Sequence, residues 1–276
     1  MHHAEHLARR VALAGLLACG LAAAQAAAQA AVPAAPVATG RCAAPVYLTF
    51  DTGHMGVAPL IAQVLKDEGV KATFFLANER TQTGGWSLDD QWAPWWRERA
   101  AEGHAFGSHT WDHGSWLADR ADGRFDLKPS MGAQAGQRMT LTPAQYCAEL
   151  QRPADRFAEM TGQAMLPLFR APGGKTSPAL LKAALGCGWR HVGWAPAGFL
   201  GDELPSDRYP NDALLAKALA GIRPGDILVA HLGIWSRQDP WAPVVLAPLI
   251  RGLKSRGLCF ATLRQHPQYS GAGAAR

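Results

Sequence analysis

Val46-Tyr47-Leu48-Thr49-Phe50-Asp51-Thr52-Gly53-His54 is the stretch on which the reading of the fold turns. Five apolar, aromatic or β-branched residues run straight into an acid, a hydroxyl and a glycine. Such a run, broken at once by turn formers, is the pattern of a parallel strand buried on both faces. Asp51 then stands where the strand ends, the edge at which α/β folds display reactive side chains. Taken alone, the same residues also describe an acid in a turn, with Gly53 supplying a positive φ.

The pattern recurs along the chain. Further strands are expected at Ala72–Leu76, Ala105–Gly107, Leu166–Phe169, His191–Trp194, Ile227–Ala230 and Cys259–Thr262. Between them, Pro59–Glu68, Asp90–Ala101, Thr142–Thr161, Ser177–Leu185, Asn211–Ala220 and Trp241–Ser255 carry apolar residues at helical spacing. Gly69, Gly103, Gly162, Gly188 and Gly257 follow helices where a C-terminal stop belongs. Regular alternation of this kind builds parallel β/α units. With Val46–Phe50 the strands fall one short of the usual eight-stranded barrel, so the expected fold is α/β, a distorted seven-unit β/α barrel or strongly curved sheet. A single domain over residues 45–267 follows, because no repeat and no Pro/Ser-rich linker divides them. Gly114 to Thr140 reads as one long structureless loop, suited to a lid or to lining a substrate.

Hydrophobic residues make up 48% of the 276 and charged ones 18%, which places the chain among globular rather than disordered proteins. The net charge is +5, spread thinly with no dense Lys/Arg run, so the sequence carries no nucleic-acid footprint. Residues 1–30 read as a signal peptide: basic residues through Arg10, the apolar run from Val11, then small-residue sites at Ala24-Gln25-Ala26 and Ala28-Gln29-Ala30. The apolar run is too short for a stable membrane span. Leu16-Leu17-Ala18-Cys19 resembles a lipobox, but the apolar stretch continues past Cys19, which favours ordinary cleavage and a periplasmic or secreted protein. Residues 31–44 form a lead-in and residues 268–276 a flexible tail. Without Cys19 an even set remains, Cys42, Cys147, Cys187 and Cys259, which in an exported chain implies disulfides. Pairing Cys42 with Cys259, which ties the first strand to the last, is the preferred connectivity; buried free thiols are the alternative.

Four motifs at strand ends carry chemistry. His109 and His113, four apart directly after the third strand, are spaced to share one face of a helical turn and bind a single divalent ion. Arg170, in Arg170-Ala171-Pro172-Gly173-Gly174, can hold a carboxylate bidentately, and its glycines let backbone approach a ligand. His231 ends the strand Ile227-Leu228-Val229-Ala230 and can protonate a leaving group. Each has an ordinary structural reading as a capping, surface-paired or backbone-satisfied residue. Together with Asp51, all face one barrel mouth, and coincidence is a poor account of four.

These motifs resemble, in order, those of the polysaccharide deacetylases of the nodulation-protein type, carbohydrate esterase family four. Thr49-Phe50-Asp51-Thr52-Gly53 is similar to that family's Thr-Phe-Asp-Asp-Gly except at the fourth position; His109-x-x-x-His113, Arg170-x-Pro172 and Leu228-Val229-Ala230-His231 match the later motifs over residues 45–265. The resemblance implies a hydrolase that removes N-acetyl groups from an extracytoplasmic polysaccharide or peptidoglycan amino sugar. It implies Asp51 as general base, Arg170 orienting it, His231 as general acid and the Gly173 N–H as an oxyanion donor. It also implies one divalent ion, zinc foremost with cobalt an alternative, on His109, His113 and the residue at position 52.

Thr52 departs from the pattern, since a hydroxyl is a weaker ligand than a carboxylate. A shifted Asp51, His54, Asp112 or water are the substitutes. The alternative function is a degenerate homologue that binds glycan without hydrolysing it. The Asp-rich fourth motif is not clear around Asp202, which is assigned a supporting role toward Arg170. Trp86, Trp92, Trp95 and Trp96 offer either sugar-stacking or ordinary core. Trp111, Trp116, Trp235 and Trp241 flank the mouth, and Trp111 and Trp235 are taken as substrate contacts. The N-acetylated glycan is the expected partner.

Overall fold

The computed structural model describes residues 42–242 and 244–271; the signal-peptide segment and most of the lead-in lie outside the described residues. All seven expected strands form and lie parallel in one sheet: β1 (Pro45–Asp51), β2 (Thr73–Leu76), β3 (Ala105–Ser108), β7 (Leu168–Phe169), β8 (Arg190–His191), β9 (Ile227–His231) and β10 (Cys259–Phe260). β1 is flanked by β2 and β9, and its first residues pair with β10. The order continues through β3 and β7 to β8. The chain just after β8 curls back onto β9, where Ala195 N–H donates to Ile227 O at 3.0 Å and Leu200 N–H to Val229 O at 3.2 Å. The sheet is thus a curled, distorted barrel with irregular closure.

Alternation along β1 assigns its two faces. Val46, Leu48 and Phe50 enter the core beneath the helices, with Phe74, Phe106, Leu228 and Ala230 from neighbouring strands. Tyr47 packs in the curl's interior with Phe75, Leu168, Val192 and Leu263. Asp51, in phase with Tyr47, therefore projects inward at the strand's end.

The helices cover the outer face. Helix α1 (Ala58–Asp67) buries Ala58, Ile61, Ala62 and Leu65, and α6 (Leu246–Ser255) buries Leu246, Leu249, Ile250 and Leu253. Both sets follow the i, i+3, i+4, i+7 stripe of a helix laid on a core. Helix α3 (Pro143–Thr161) opens on a capping box between Thr142 and Gln145 and stops at left-handed Gly162. Helices α2 (Ala93–Ala101), α4 (Pro178–Gly186) and α5 (Asn211–Gly221) complete the layer. Helix α6 starts later than the sequence pattern indicates, with Trp241 and Ala242 buried before it.

The stretch expected to be a structureless loop is instead an antiparallel sheet of β4 (Gly114–Asp119), β5 (Phe125–Pro129) and β6 (Met139–Leu141). Its hairpin turns over Asp122-Gly123, with Gly123 at φ 79°. Phe125, Leu127 and Leu141 pack on Tyr146 and Leu150 of α3 and on Leu180 of α4. That burial stabilises strands otherwise too short to persist.

Cys42–Cys259 and Cys147–Cys187 are disulfide-bonded, with Cα separations of 5.8 and 6.2 Å. The first joins the entry of β1 to β10, as expected, and the second joins α3 to the end of α4. Such bonds persist in oxidising surroundings. Among the described residues no helix is long and apolar enough to cross a membrane.

Candidate active site

Register brings the strand-end residues together. Asp51 lies level with His231 across β1 and β9, and Ser108 lies level with Phe169 across β3 and β7. His109 and Arg170 each follow one of that second pair, so they emerge side by side. Gly53 lets β1 leave the sheet at φ 130°, and any Cβ there would strike the Gly233 carbonyl beyond β9.

Asp51 is buried, and Arg170 Nη1 donates to its Oδ1 at 2.7 Å. Arg170 is fully buried, with Nε and Nη2 directed at the carbonyls of Val192 and Gly193, and its guanidinium lies 4.4 Å from the centre of the Phe75 ring. Burial pushes the Asp51 carboxyl upward, but Arg170, His109 and His231 together hold it below its ordinary value. Asp51 is therefore an anion.

His109 is also buried, and its Nδ1 lies 2.8 Å from Arg170 O. A carbonyl only accepts, so Nδ1 carries the proton and Nε2 presents a lone pair. That lone pair faces Asp51 Oδ2 at 3.5 Å. Burial takes His109 down to about 4, against the opposing pull of Asp51 and Glu79, so the ring is neutral. Two acceptors confronting one another in a buried site call for a cation beside them. His113 stacks edge-on to His109, with ring centres 4.8 Å apart, and its Nδ1 contacts Ser130 Oγ at 2.7 Å, which leaves its Nε2 available as well. Both histidines thus fit a divalent ion, each oriented through its other nitrogen. Among the described residues no three His, Cys, Asp or Glu side chains converge on one metal position.

The pair does not sit on a helical turn, contrary to the spacing argument. Thr110 and His113 have φ of 62° and 51°, left-handed values that strain a β-branched residue especially. Met131 N–H donates to Asp112 O and Ser130 N–H to His113 O, so the new sheet clamps this bend. Asp112 is thereby directed at Gly132, in a pocket with Tyr146 and Glu149.

Thr52 is buried, and its hydroxyl is engaged at both ends. It donates to Glu79 Oε1 at 2.6 Å and accepts the Ala77 N–H at 3.0 Å. Glu79, buried three residues beyond β2, was not singled out from the sequence. The signal was available: an acid just past a strand end is the rule that located Asp51.

Asp202 supports His231 rather than Arg170. Its Oδ2 accepts the His231 backbone N–H at 2.7 Å, and its Oδ1 lies 3.1 Å from Nδ1. Burial lowers the basicity of His231, but Asp202, Asp51 and Glu203 outweigh it and raise the imidazole to about 10. It is a protonated acid beside Asp51, level with it on the neighbouring strand. Beside it lies a cavity of about 190 Å³ lined by His54, Gln82, Asp202, Arg237 and Trp241. His54 accepts the Gly56 N–H at Nδ1 and meets Trp235 edge-on at 5.0 Å. Trp235 is 61% exposed at the rim, whereas Trp241 is 3% exposed and belongs to the core. Trp111 is half-buried under the Arg152 guanidinium at 4.4 Å. Gly173 turns at φ 63° directly after Pro172.

A buried carboxylate, a cationic acid opposite it and two oriented imidazoles define a hydrolase site on a curled β/α sheet. The polysaccharide deacetylase family model matches residues 40–192, and the chain belongs to that family. It is 28% identical over 228 residues to a chitooligosaccharide deacetylase from Azorhizobium caulinodans, covering 79% of this chain and 92% of that one. In fold it is similar to a family 4 acetyl xylan esterase from Clostridium thermocellum solved with a cobalt ion, with TM-score 0.63 and 24% identity over 82% of this chain and 91% of the other. It is also similar in fold to a family 4 pseudoenzyme from Bacillus anthracis, with TM-score 0.58 and 21% identity over 80% of this chain and 64% of the other.

Proposed function

We propose that the chain removes N-acetyl groups from an amino sugar of an extracytoplasmic glycan, in a reaction that depends on a divalent metal ion. The observation that carries this reading is the buried constellation of Asp51, fixed by Arg170, opposite a protonated His231. A binding module has no use for an anionic base and a cationic acid held side by side at the strand ends.

The roles follow from the chemistry of the groups. Asp51 takes the proton of the attacking water as its oxygen bonds to the acetyl carbon. His231 then delivers a proton to the amine nitrogen as the C–N bond breaks, because an amide anion is too basic to depart unprotonated. Arg170 keeps Asp51 ionised and aimed. His109 and His113 would hold the ion, whose contribution when bound is Lewis acidity toward carbonyl and water. Zinc suits two imidazoles and a carboxylate, and cobalt accepts the same donors. The Gly173 N–H, on the turn three residues past Arg170, would serve as a donor to the developing oxyanion. Trp235, exposed beside the cavity at His231, gives an apolar sugar face a surface to stack on. Trp111, covered by Arg152, would contribute to a more distant part of a long glycan.

The two disulfides support export to an oxidising compartment. The test is acetate release from N-acetylglucosamine oligomers, with and without chelator and with zinc or cobalt restored. Release that chelation abolishes and metal restores is expected. No release from any N-acetylated glycan, metal present, would leave the glycan-binding alternative standing.

A further inference from the structure

We propose that Glu79 is the third protein ligand of the metal ion, supplying from the end of β2 the carboxylate that position 52 lacks. This inference rests on the metal-dependent reading above and assigns the residue that completes it.

Glu79 is 7% exposed, and no Lys or Arg pairs with it among the described residues. A buried carboxylate without a cation is costly unless something compensates its charge. The contact that matters is the one to Thr52: the hydroxyl donates to Oε1 at 2.6 Å while accepting Ala77 N–H. Thr52 is thereby spent as a donor and occupied as an acceptor, and the oxygen at its tip is followed by a carboxylate. β1 and β2 are neighbours, with Thr52 N–H donating to Phe75 O at 3.1 Å, so a longer acid reaching from β2 lands over position 52. The reach replaces the missing side chain.

The backbone beneath Glu79 is fixed for such a task. Ser87 Oγ accepts the Glu79 N–H at 2.9 Å and donates to Ala77 O at 2.6 Å, and Ser87 N–H returns to Glu79 O at 2.8 Å. The residue types agree: a second carboxylate from Glu79 beside Asp51 would bring the donor charge that an Asp-Asp pair on β1 brings. The other substitutes are directed elsewhere: Asp112 lies against Gly132, and His54 binds the Gly56 N–H beside Trp235. Thr52 becomes a positioning residue that aims Glu79.

The test measures zinc affinity of the full chain by chelator competition, together with the visible spectrum of the cobalt form. Glu79→Gln keeps the shape and an acceptor for Thr52 but removes the charge. It should weaken zinc binding by about 100-fold or more and alter the cobalt bands. The double variant Thr52→Asp/Glu79→Gln, which returns a carboxylate from the other strand, should recover most of the affinity. Circular dichroism checks that each variant is folded. If the wild type binds zinc and Glu79→Gln binds it equally with an unchanged cobalt spectrum, Glu79 is not a ligand and only this assignment falls. If the wild type itself binds no divalent ion, the metal-dependent reading falls with it.

Discussion

His231 and Asp202 are bound twice, through the His231 backbone N–H at 2.7 Å and through the imidazole Nδ1 at 3.1 Å. One contact fixes where the residue sits and the other fixes its charge. The imidazole is raised from 6.5 to about 10, so its protonated form is favoured by folding. A raised value stabilises the fold fully below 6.5, and that stabilisation is lost as pH rises through about 10.

Asp202→Asn keeps the shape and removes the charge. The alkaline limb of the pH–rate profile should move to lower pH, and activity at pH 9 should fall about tenfold or more while the acidic limb stays. A profile recorded from pH 5 to 10 checks this. An unmoved alkaline limb would show that another group donates the proton.

Arg170 pairs with Asp51 in full burial. Arg170→Met removes the hydrogen-bonded cation from a buried carboxylate, a change that costs about 3–5 kcal/mol. Asp51 would then titrate at higher pH, because the largest of the attractions that hold it down is gone and burial remains. Urea unfolding at pH 7 and pH 5 measures both effects: the destabilisation should be larger at pH 7. Equal loss at both values would mean that Arg170 stabilises through packing alone.

Cys42–Cys259 spans 217 residues of sequence and Cys147–Cys187 spans 40. Opening either in a Cys→Ser pair should cost about 2–5 kcal/mol, with the longer loop losing more in the chain-entropy account. Thermal melts with and without reductant test the ranking.

The parallel sheet was legible because its strands are short apolar runs that end in chemistry. The burial of both faces writes β1 as Val46 to Phe50 without polar interruption. β4, β5 and β6 were not, because they are antiparallel and covered on one face only, so their alternation is diluted by polar residues. Asp122-Gly123 was their clearest mark. Four motif residues could be placed from strand ends alone, since parallel register must deliver them to one mouth. What sequence could not give was pairing across strands. Asp202 belongs to His231 because residues 195–200 fold back onto β9, and Glu79 meets Thr52 because β1 and β2 are neighbours. Both relationships join residues 27 or more positions apart.

The central claim is that Asp51 drives hydrolysis of an N-acetyl group. Its most direct test compares wild type with Asp51→Asn on an N-acetylglucosamine oligomer, zinc supplied, measuring acetate and free amine together. The account predicts equal amounts of both from the wild type and a rate lower by about 100-fold or more in the variant. Undiminished release by folded Asp51→Asn would contradict it.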